Sequence, residues 1–554
     1  MKIRKLPGFI IIINILFFPY ICTAVYLNKE IDRPVLANII NRTDLTTLTY
    51  INRPILGVKD DPDNPNLKTD PYWYDDPLIE KYEPDLGEDF YFRNDFHIPR
   101  AKNYISTNAL SVLYFMQITD AHITDEESPA RDVLKDSKLL DGFFRPQEQY
   151  STQVFDTMIR TANQISHETN KNFDMLLLTG DLVENSLKIE LDWFYDIING
   201  KYIDPDSGLD ENPYISMCED IPFFPDDAND PFLAEGLRSE IPWYVAMGNH
   251  DGFLYGNLSQ DTIKEEVIIN FPHDPLASIS KAPVFPAEDY LSLNEIKDLV
   301  NKKRETERKK KVSFDISSDP ERRLFSEKEF YEKLISHGFD YLEGYYTITF
   351  DSHIPIKMIV LNTWPKCSAV HAMLYEKQIE DFLIPELEKS KGKELVIIAS
   401  HHGKNIIKKN NILPFATARK CIKKQGKQYS GKDLEKILSS YEEVIMHIAG
   451  HSHKHEVHAR DNYWEVVTSS LIDFPMQSRL FDIIIDQQIG YIYSVVVDAA
   501  DKLFSNPGLI TRAREIALMD MQTGNVRGSD YWGTYKERNV ILPFRLPSWL
   551  KRKL

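Results

Sequence analysis

Five short polar motifs, each following an apolar run of strand length, constrain this chain more than any other feature. The motifs are Asp120-Ala121-His122, Gly180-Asp181, Gly248-Asn249-His250-Asp251, His401-His402 and Gly450-His451-Ser452-His453. The runs before them cover residues 112–118, 175–178, 243–247, 395–399 and 444–449. Polar groups that follow successive strands gather along one edge of an α/β sheet, where such sheets bind ligands. We therefore expect the five motifs to form one site.

The pattern of apolar residues predicts strands that alternate with helices. A further strand is expected over residues 357–361, helices over 152–166 and 376–388, and a hairpin over 480–485 and 491–497. Alternating strands and helices of this kind predict an α/β fold built as a sandwich.

Composition divides the 554 residues into four segments. Residues 1–24 predict a secretory signal, because basic residues precede a short apolar run and small residues flank Ala24, where we expect cleavage. An uncleaved membrane anchor is the alternative. Residues 25–107 predict an extended N-terminal arm, residues 108–500 hold the motifs with inserts at 187–240 and 253–345, and residues 501–554 form a tail.

The balance of charge limits the partners of the chain. There are 65 Lys and Arg against 84 Asp and Glu, a formal net charge of −19 at pH 7. Nucleic-acid-binding domains normally present a basic face, so we expect no nucleic-acid partner. A phosphorylated substrate is compatible with this charge, because metal ions supply local positive charge. No second long apolar run occurs, so we expect no stable membrane span in the mature chain.

The residue types in the motifs are those that hold two divalent cations side by side. Residues two apart on a strand point the same way, so Asp120 and His122 can bind one cation. The carboxylate of Asp181 can bridge two cations, and the side-chain oxygen of Asn249 can bind the second. Oxygen and imidazole ligands suit zinc, iron or manganese without choosing among them. The predicted cofactor is therefore a pair of divalent metal ions.

This ligand set predicts hydrolysis of a phosphate ester. Two cations about 3.5–4 Å apart bind the attacking and departing oxygens of an in-line displacement. A hydroxide that bridges them is the expected nucleophile, because bound water loses its proton near neutral pH. A histidine beside the cations can protonate the leaving oxygen. The expected substrate is a phosphorylated small molecule or a lipid headgroup, and both monoesters and diesters remain open.

Taken together, the motifs resemble those of the calcineurin-like metallophosphoesterase superfamily over about residues 108–500. The resemblance implies a β-sandwich flanked by helices. It further implies that the first metal binds Asp120, His122 and His453, that Asp181 bridges, that the second metal binds Asn249, His401 and His451, and that His250 is catalytic. Gly403 stands where many members have proline, so the choice of His401 over His402 stays open. Glu184 replaces the tyrosine typical of purple acid phosphatases, so the chain does not resemble that branch.

Three further stretches resemble a poorly characterised subgroup of secreted phosphoesterases. They are Ser128-Pro129-Ala130-Arg131, Arg145-Pro146-Gln147-Glu148 and the segment Asp473–Arg479. We hypothesise that Arg131 or Arg479 reaches the substrate phosphate, because the guanidinium fork matches phosphate geometry. A structural salt bridge is the alternative interpretation. Glycosylation acceptors occur at Asn41-Arg42-Thr43 and Asn257-Leu258-Ser259.

The competing class is a non-catalytic protein that binds metal or phosphate on a relict phosphoesterase fold, because a fold alone does not guarantee chemistry. Loss of ligands would be its sign in the sequence. All seven predicted ligands are present, which favours the enzyme.

Overall fold

The structure is a computed structural model that describes residues 24–28, 48–53, 81–106, 108–126, 128, 145, 147–168, 172–207, 230–257, 319–336, 343–351, 354–364, 372–409, 422–500, 503, 507–523 and 531–554. Most of the predicted signal segment 1–24 lies outside these ranges, as do Asn41 and Arg131.

The strands of the described residues are β1 (Ala24–Asn28), β2 (Leu48–Arg53), β3 (Lys81–Leu86), β4 (Tyr91–Phe92), β5 (Leu110–Ile118), β6 (Met175–Leu178), β7 (Tyr202–Ile203), β8 (Phe232–Leu233), β9 (Trp243–Val245), β10 (Tyr346–Asp351), β11 (Ile356–Val360), β12 (Leu374–Tyr375), β13 (Leu395–Ala399), β14 (Gln428–Tyr429), β15 (Val444–Ala449), β16 (Glu456–Ala459), β17 (Trp464–Val467), β18 (Gln477–Asp486), β19 (Ile489–Asp498) and β20 (Val540–Arg545). The α-helices are α1 (Ser151–Glu168), α2 (Lys188–Ile198), α3 (Glu327–Ser336), α4 (Ile384–Ser390), α5 (Gly431–Leu438), α6 (Pro507–Thr523) and α7 (Ser548–Lys551).

Two seven-stranded sheets organise these strands. The first sheet has the order β1-β10-β11-β13-β15-β17-β16, and the second has the order β4-β20-β19-β18-β5-β6-β9. In the first sheet β11, β13, β15 and β17 run parallel, and in the second β5, β6 and β9 do. The carboxyl ends of parallel neighbours meet at one edge of a sheet, so each sheet gathers its motifs there.

The first sheet is buried on both faces. On β11, Met358 and Val360 belong to the large core shared with the second sheet, whereas Ile359 and the following Leu361 pack with residues of α4 and α5. This division follows from the alternation of side chains along a strand. It explains why the strand is a continuous apolar run, as expected of a strand covered on both sides.

Helices cover the outer face of the second sheet. Phe155 of α1 stacks on Phe194 of α2 with ring centroids 5.4 Å apart, and Ile516 of α6 joins the same core. The layers are therefore helix, sheet, sheet, helix. The predicted β-sandwich flanked by helices is confirmed.

The helix predicted over residues 376–388 is present but not uniform. Its first part, Lys377–Leu383, is a π-helix, and α4 follows directly. The amide of Ile384 bonds to the carbonyl of Ile379, five residues back. Pro385 stands in the first turn of α4 and has no N–H, which removes one regular helical bond at this junction.

The predicted tail contributes to the second sheet. β20 pairs with β19 along its whole length and with the short β4 at Val540 and Ile541. Beyond Ile541 one side of β20 has no partner strand among the described residues, which is where a strand tolerates Pro543. No helix in the described part of the chain has the length and apolar character needed to cross a membrane.

Candidate metal centre

The five motifs meet between the two sheets. Three of them follow β5, β6 and β9 of the second sheet, and two follow β13 and β15 of the first. Hydrogen bonds join the two groups: Nδ1–H of His401 donates to the carbonyl of Thr179 at 2.7 Å, and the backbone N–H of His451 donates to Oδ2 of Asp120 at 2.9 Å. The loops of both sheets therefore build one site.

Five site residues adopt the left-handed backbone conformation that L-residues rarely populate. Their φ angles are 52° at Asp120, 45° at His122, 49° at Asp181, 69° at His451 and 55° at His453. Each such residue costs on the order of 1–3 kcal/mol and persists only where the surroundings enforce it. Strain at these five places together marks a functional centre.

Two glycines allow the loops after β6 and β9 to touch. A Cβ on Gly180 would lie 2.4 Å from the amide nitrogen of Gly248, and a Cβ on Gly248 would lie 2.1 Å from Oδ1 of Asp181. Any side chain at either position would push Asp181 and Asn249 apart. Close packing of the two loops therefore requires glycine before Asp181 and before Asn249.

The first predicted ligand set converges on one point. Oδ1 of Asp120 lies 3.3 Å from Nε2 of His453 and 3.8 Å from Nε2 of His122, and the two Nε2 atoms are 3.2 Å apart. Oδ2 of Asp120 is occupied, because it accepts hydrogen bonds from Oγ1 of Thr119 and from the backbone of His451. The other oxygen is thereby left facing the imidazoles.

Asp181 lies between this set and the second one. Its Oδ2 is 3.8 Å from Nε2 of His122 and 3.0 Å from Nε2 of His401. Nδ1 of His451 lies 3.2 Å from the same nitrogen of His401. The other oxygen, Oδ1, accepts the backbone N–H of His250 at 2.8 Å. One carboxylate oxygen is therefore placed to reach two cations.

Two buried oxygens support occupancy by cations. Oδ1 of Asp120 and Oδ1 of Asn249 are both buried and make no hydrogen bond. The amide of Asn249 is oriented by its Nδ2, which donates to the carbonyl of Gly256 at 3.2 Å. A buried acceptor without a partner is costly, so the two oxygens fit the role of ligands to a cation.

The charges at the site point the same way. The carboxylates of Asp120, Asp181, Glu184 and Asp473 are all buried, and Arg145 contacts the last two. Burial of a charged group is strongly unfavourable unless the group is paired with an opposite charge or binds a metal. Two divalent ions would balance this excess, so the donor set fits the predicted cofactor.

The acid–base properties of the imidazoles follow from these carboxylates. Burial alone lowers the pKa of His401, but Asp181 and Asp120 outweigh it and raise the pKa to about 9. Burial also opposes protonation of His453, whereas Asp120 and Asp473 raise its pKa to about 10. Without cations the carboxylates therefore stabilise protonated imidazoles, which a bound metal would displace.

His250 stands beside the ligand cluster. Its Nδ1–H donates to the carbonyl of Glu184 at 2.8 Å, and its ring lies edge-on to that of His122 with centroids 4.8 Å apart. A Cβ on Gly256 would lie 2.5 Å from its Nε2, so the glycine makes room for this nitrogen. Burial lowers the pKa of His250.

The geometry distinguishes His401 from His402. Nε2 of His401 faces Asp181, whereas Nδ1 of His402 hydrogen-bonds to Oγ1 of Thr363 at 2.8 Å. Thr363 follows β11, an apolar run that none of the five motifs follows. His402 still lies within ligand distance of His401 and His451. The bond to Thr363 and the contact of His401 with Asp181 favour His401 as the ligand.

Two carboxylates orient the histidines of the first set. Oε2 of Glu184 accepts from Nδ1 of His122 at 2.5 Å, and Oδ2 of Asp473 accepts from Nδ1 of His453 at 2.5 Å. Such pairs fix the ring and leave Nε2 for the metal. Neither residue has a predicted role, although Glu184 lies three residues after Asp181 and Asp473 opens the segment Asp473–Arg479.

Asp251 is a further residue without a predicted role. Its Oδ2 accepts the backbone N–H groups of Asp181 at 3.0 Å and Gly248 at 2.8 Å, and its Oδ1 accepts that of Leu182 at 2.7 Å. It therefore ties the loops after β6 and β9 together. Its position at the end of the third motif was the available signal.

The structure corrects the hypothesis about Arg479. The side chain is fully buried, and its guanidinium donates at 2.9 Å to the carbonyls of Arg538 and Glu537 and to Oγ of Ser494. A further N–H lies 2.8 Å from Nδ1 of His455. The Nη1 and Nη2 groups of Arg479 are therefore already bonded within the protein and are not available to a phosphate. The structural interpretation replaces the substrate one. Arg131 lies outside the described residues.

Comparison with known proteins shows the family of this chain. A profile of the calcineurin-like phosphoesterase family matches residues 113–455. That is more than half of the chain, and the protein belongs to this family. Among solved structures, the chain is similar to a dimetal phosphatase from Danio rerio, with 12% identity, a TM-score of 0.32, and coverage of 70% of this chain and 99% of that chain. A comparison with curated proteins gave no match.

Proposed function

We propose that this protein hydrolyses phosphate esters with two divalent metal ions. The observation that carries the proposal is the position of Oδ2 of Asp181 between Nε2 of His122 and Nε2 of His401, 3.8 and 3.0 Å away. One ion would be held by Asp120, His122 and His453 and the other by Asn249, His401 and His451, with Asp181 shared. Zinc, iron and manganese all suit these ligands.

When bound, the metal ions would supply positive charge for the phosphate oxygens and lower the pKa of a bound water. The remaining chemistry belongs to the protein. Nδ1 of His250 is fixed as a donor to the carbonyl of Glu184, so a second proton would sit on Nε2. From there it would pass to the leaving oxygen of the ester. His250 is therefore the proposed general acid.

The proposed substrate is a phosphorylated small molecule or a lipid headgroup. Both ester classes are included, because the ligand set suits either. The acidic chain, with a formal net charge of −19, repels anions at long range, so affinity for a phosphate would come from the local charge at the centre.

The test measures p-nitrophenyl phosphate and bis(p-nitrophenyl) phosphate turnover by purified protein loaded with Zn²⁺, Mn²⁺ or Fe²⁺. We expect hydrolysis of at least one ester, loss of activity with chelator, and a loss of more than about 100-fold in Asp181→Asn, because even changes beyond the direct ligands cost 10–100-fold. Activity that resists chelation contradicts the proposal. Two bound metals with no turnover of any ester would instead support the non-catalytic alternative.

We further propose that the protein acts outside the cytoplasm after removal of residues 1–24. The basic start and the short apolar run of the sequence support this. Cleavage after Ala24 would leave Val25 as the first residue of the mature chain, within β1, which pairs in parallel with β10. N-terminal sequencing of protein from an exporting host should begin at Val25, and an intact Met1 would contradict cleavage.

A further inference from the structure

Arg145 connects the supports of the two histidines in the first ligand set. Its Nη1 lies 3.1 Å from Oε2 of Glu184, and its Nε lies 3.5 Å from Oδ1 of Asp473. The side chain is 13% exposed, so solvent screens these contacts weakly. Glu184 and Asp473 in turn accept the Nδ1 protons of His122 and His453, each at 2.5 Å. One guanidinium therefore links both carboxylate–histidine pairs.

The second ligand set is supported differently. His401 donates its Nδ1 proton to the backbone carbonyl of Thr179, not to a carboxylate. His451 presents Nδ1 towards His401, and its backbone is held by Asp120. In the described part of the chain, the ion pairs of Arg145 are with Glu184 and Asp473, and its guanidinium forms no hydrogen bond with either imidazole of this set. The arginine therefore acts on one half of the centre.

This link explains two of the stretches that the sequence singled out. Arg145-Pro146-Gln147-Glu148 and Asp473–Arg479 meet at Asp473, because Nε2 of Gln147 also donates to its Oδ1 at 3.0 Å. Oε2 of Glu148 accepts the backbone N–H of Arg145 at 2.9 Å, which holds the backbone of the arginine in place. The two stretches thus form one support, although 326 residues separate Gln147 from Asp473.

We propose that Arg145 is a positioning residue for the first metal ion, the one assigned to Asp120, His122 and His453. Without its charge, Glu184 and Asp473 would be buried anions close to a cluster of other carboxylates. They would then turn away from their present positions, and the imidazoles would lose their fixed orientation. Changes in such outer partners lower metal affinity about 10–100-fold. This inference rests on the proposed two-metal function.

The experiment compares metal binding by the metal-free full chain and its variants. Wild type, Arg145→Ala, Arg145→Lys and Arg160→Ala are titrated with Mn²⁺ and with Zn²⁺ by calorimetry, and bound metal is counted after desalting. Arg160 is the matched control, because it also contacts two carboxylates, Asp156 and Glu235, and its side chain is 19% exposed. The hydrogen bonds of these two carboxylates are to Arg160, Asn163 and the backbone of Glu235, and not to a predicted metal-binding histidine.

We expect two metal ions in wild type and in Arg160→Ala. In Arg145→Ala, we expect one of the two dissociation constants to rise about 10–100-fold and the other to stay unchanged, so that about one ion remains after desalting. Arg145→Lys should fall in between, because a single ammonium group lacks the fork that spans both carboxylates.

Three results would overturn the inference: unchanged binding of both ions in Arg145→Ala, equal weakening of both, or the same effect in Arg160→Ala. If Arg145→Ala does not fold, Arg145→Lys decides by the same criteria. A wild-type chain that binds no metal at all would refute the proposed function itself. That outcome is distinct, because it does not depend on any variant.

Discussion

At the scale of single residues, the proposed acid His250 makes a prediction about leaving groups. We expect His250→Ala to lower kcat about 10²–10⁴-fold on an alkyl phosphate, because an alkoxide must be protonated as it leaves. On p-nitrophenyl phosphate the loss should be much smaller, because nitrophenolate leaves without a proton. Steady-state kinetics with both esters measure the difference. Equal losses on the two substrates would contradict the role as an acid.

We expect substitution of Asp251 to lower the stability of the folded protein, an effect that can be measured without an activity assay. Asp251→Ala removes the acceptor of four buried backbone N–H groups, those of Asp181, Leu182, Val183 and Gly248. Each unpaired group costs about 1–3 kcal/mol, so we expect a loss of about 3–5 kcal/mol in the free energy of unfolding. Urea unfolding measures it. Glu240→Ala, an exposed change, should leave the free energy of unfolding close to that of wild type. An equally small effect of Asp251→Ala would refute the prediction.

The candidate ligands could be identified from the sequence, but the residues that support them could not. Asp120 and His122 follow the apolar run of β5, and His451 and His453 follow that of β15, so the local sequence marks these residues as candidates. Strand alternation does not set the direction of their side chains, because all four lie beyond the strands and have positive φ angles. Arg145 and Asp473 meet only because the chain folds, and nothing in their local sequence specifies the partner. The same limit applies to Arg479, whose acceptors Glu537 and Arg538 come from the tail.

At the scale of elements, the N-terminal cap of α5 is expected to make the stability of the protein depend on pH. Its N-cap Ser430 and Asp433 form a capping box, and Lys409 lies 2.6 Å from the carboxylate. Partial burial raises the pKa of Asp433, but the hydrogen bonds from Lys409 and Ser430 outweigh it and lower the pKa to about 2. Since the folded pKa lies below the unfolded value of about 3.9, the carboxylate stabilises the fold above that pH.

We therefore expect Asp433→Asn to destabilise the protein at pH 7 by about 0.5–1 kcal/mol, a small value because the side chain is 37% exposed. The difference from wild type should stay constant above about pH 5 and shrink as the pH falls from about 4 towards 2. Urea midpoints of both proteins at several pH values measure it. A difference that grows on acidification would contradict the assignment.

Strands covered on both faces were the easiest elements to predict. β13 spans Leu395–Ala399, as its apolar run indicated, and β15 spans Val444–Ala449. β10 and β17 carry threonine, aspartate or glutamate among their apolar residues, and their sequences gave no comparable signal. The π-helix Lys377–Leu383 was read only as helix, because a shift in hydrogen bonding leaves the apolar pattern nearly unchanged.

At the scale of the whole molecule, the C-terminal segment is predicted to be essential for folding. Deletion of residues 535–554 would remove β20 and α7 and with them the buried side chains of Leu542, Phe544 and Trp549. Each loss of this kind costs about 2–5 kcal/mol, and total stability is about 5–15 kcal/mol. We expect no soluble folded protein. Deletion of the exposed residues 552–554 should leave expression and melting temperature unchanged, and a soluble, cooperatively melting 535–554 deletion would refute the prediction.

The role of this segment was hidden because it depends on tertiary pairing. Residues 540–545 are short for a strand prediction and contain Pro543, which usually argues against a strand within a sheet. Pro543 is accommodated because β20 pairs with β19 on one side and with β4 only at Val540 and Ile541 on the other. Both partner strands lie far from β20 in sequence. The tail therefore belongs to the same sheet as β5, β6 and β9, the strands that carry three of the five motifs.

Metal binding should stabilise this whole structure, since the ligands come from both sheets. A ligand present at 100 times its dissociation constant stabilises the folded state by about 2.7 kcal/mol per site. We expect the melting temperature of chelated protein to rise stepwise with added Mn²⁺ or Zn²⁺. In Asp181→Asn the rise should be smaller for both sites, because Oδ2 of Asp181 faces imidazoles of both ligand sets. A melting temperature that is independent of metal would mean that the centre does not couple the two sheets.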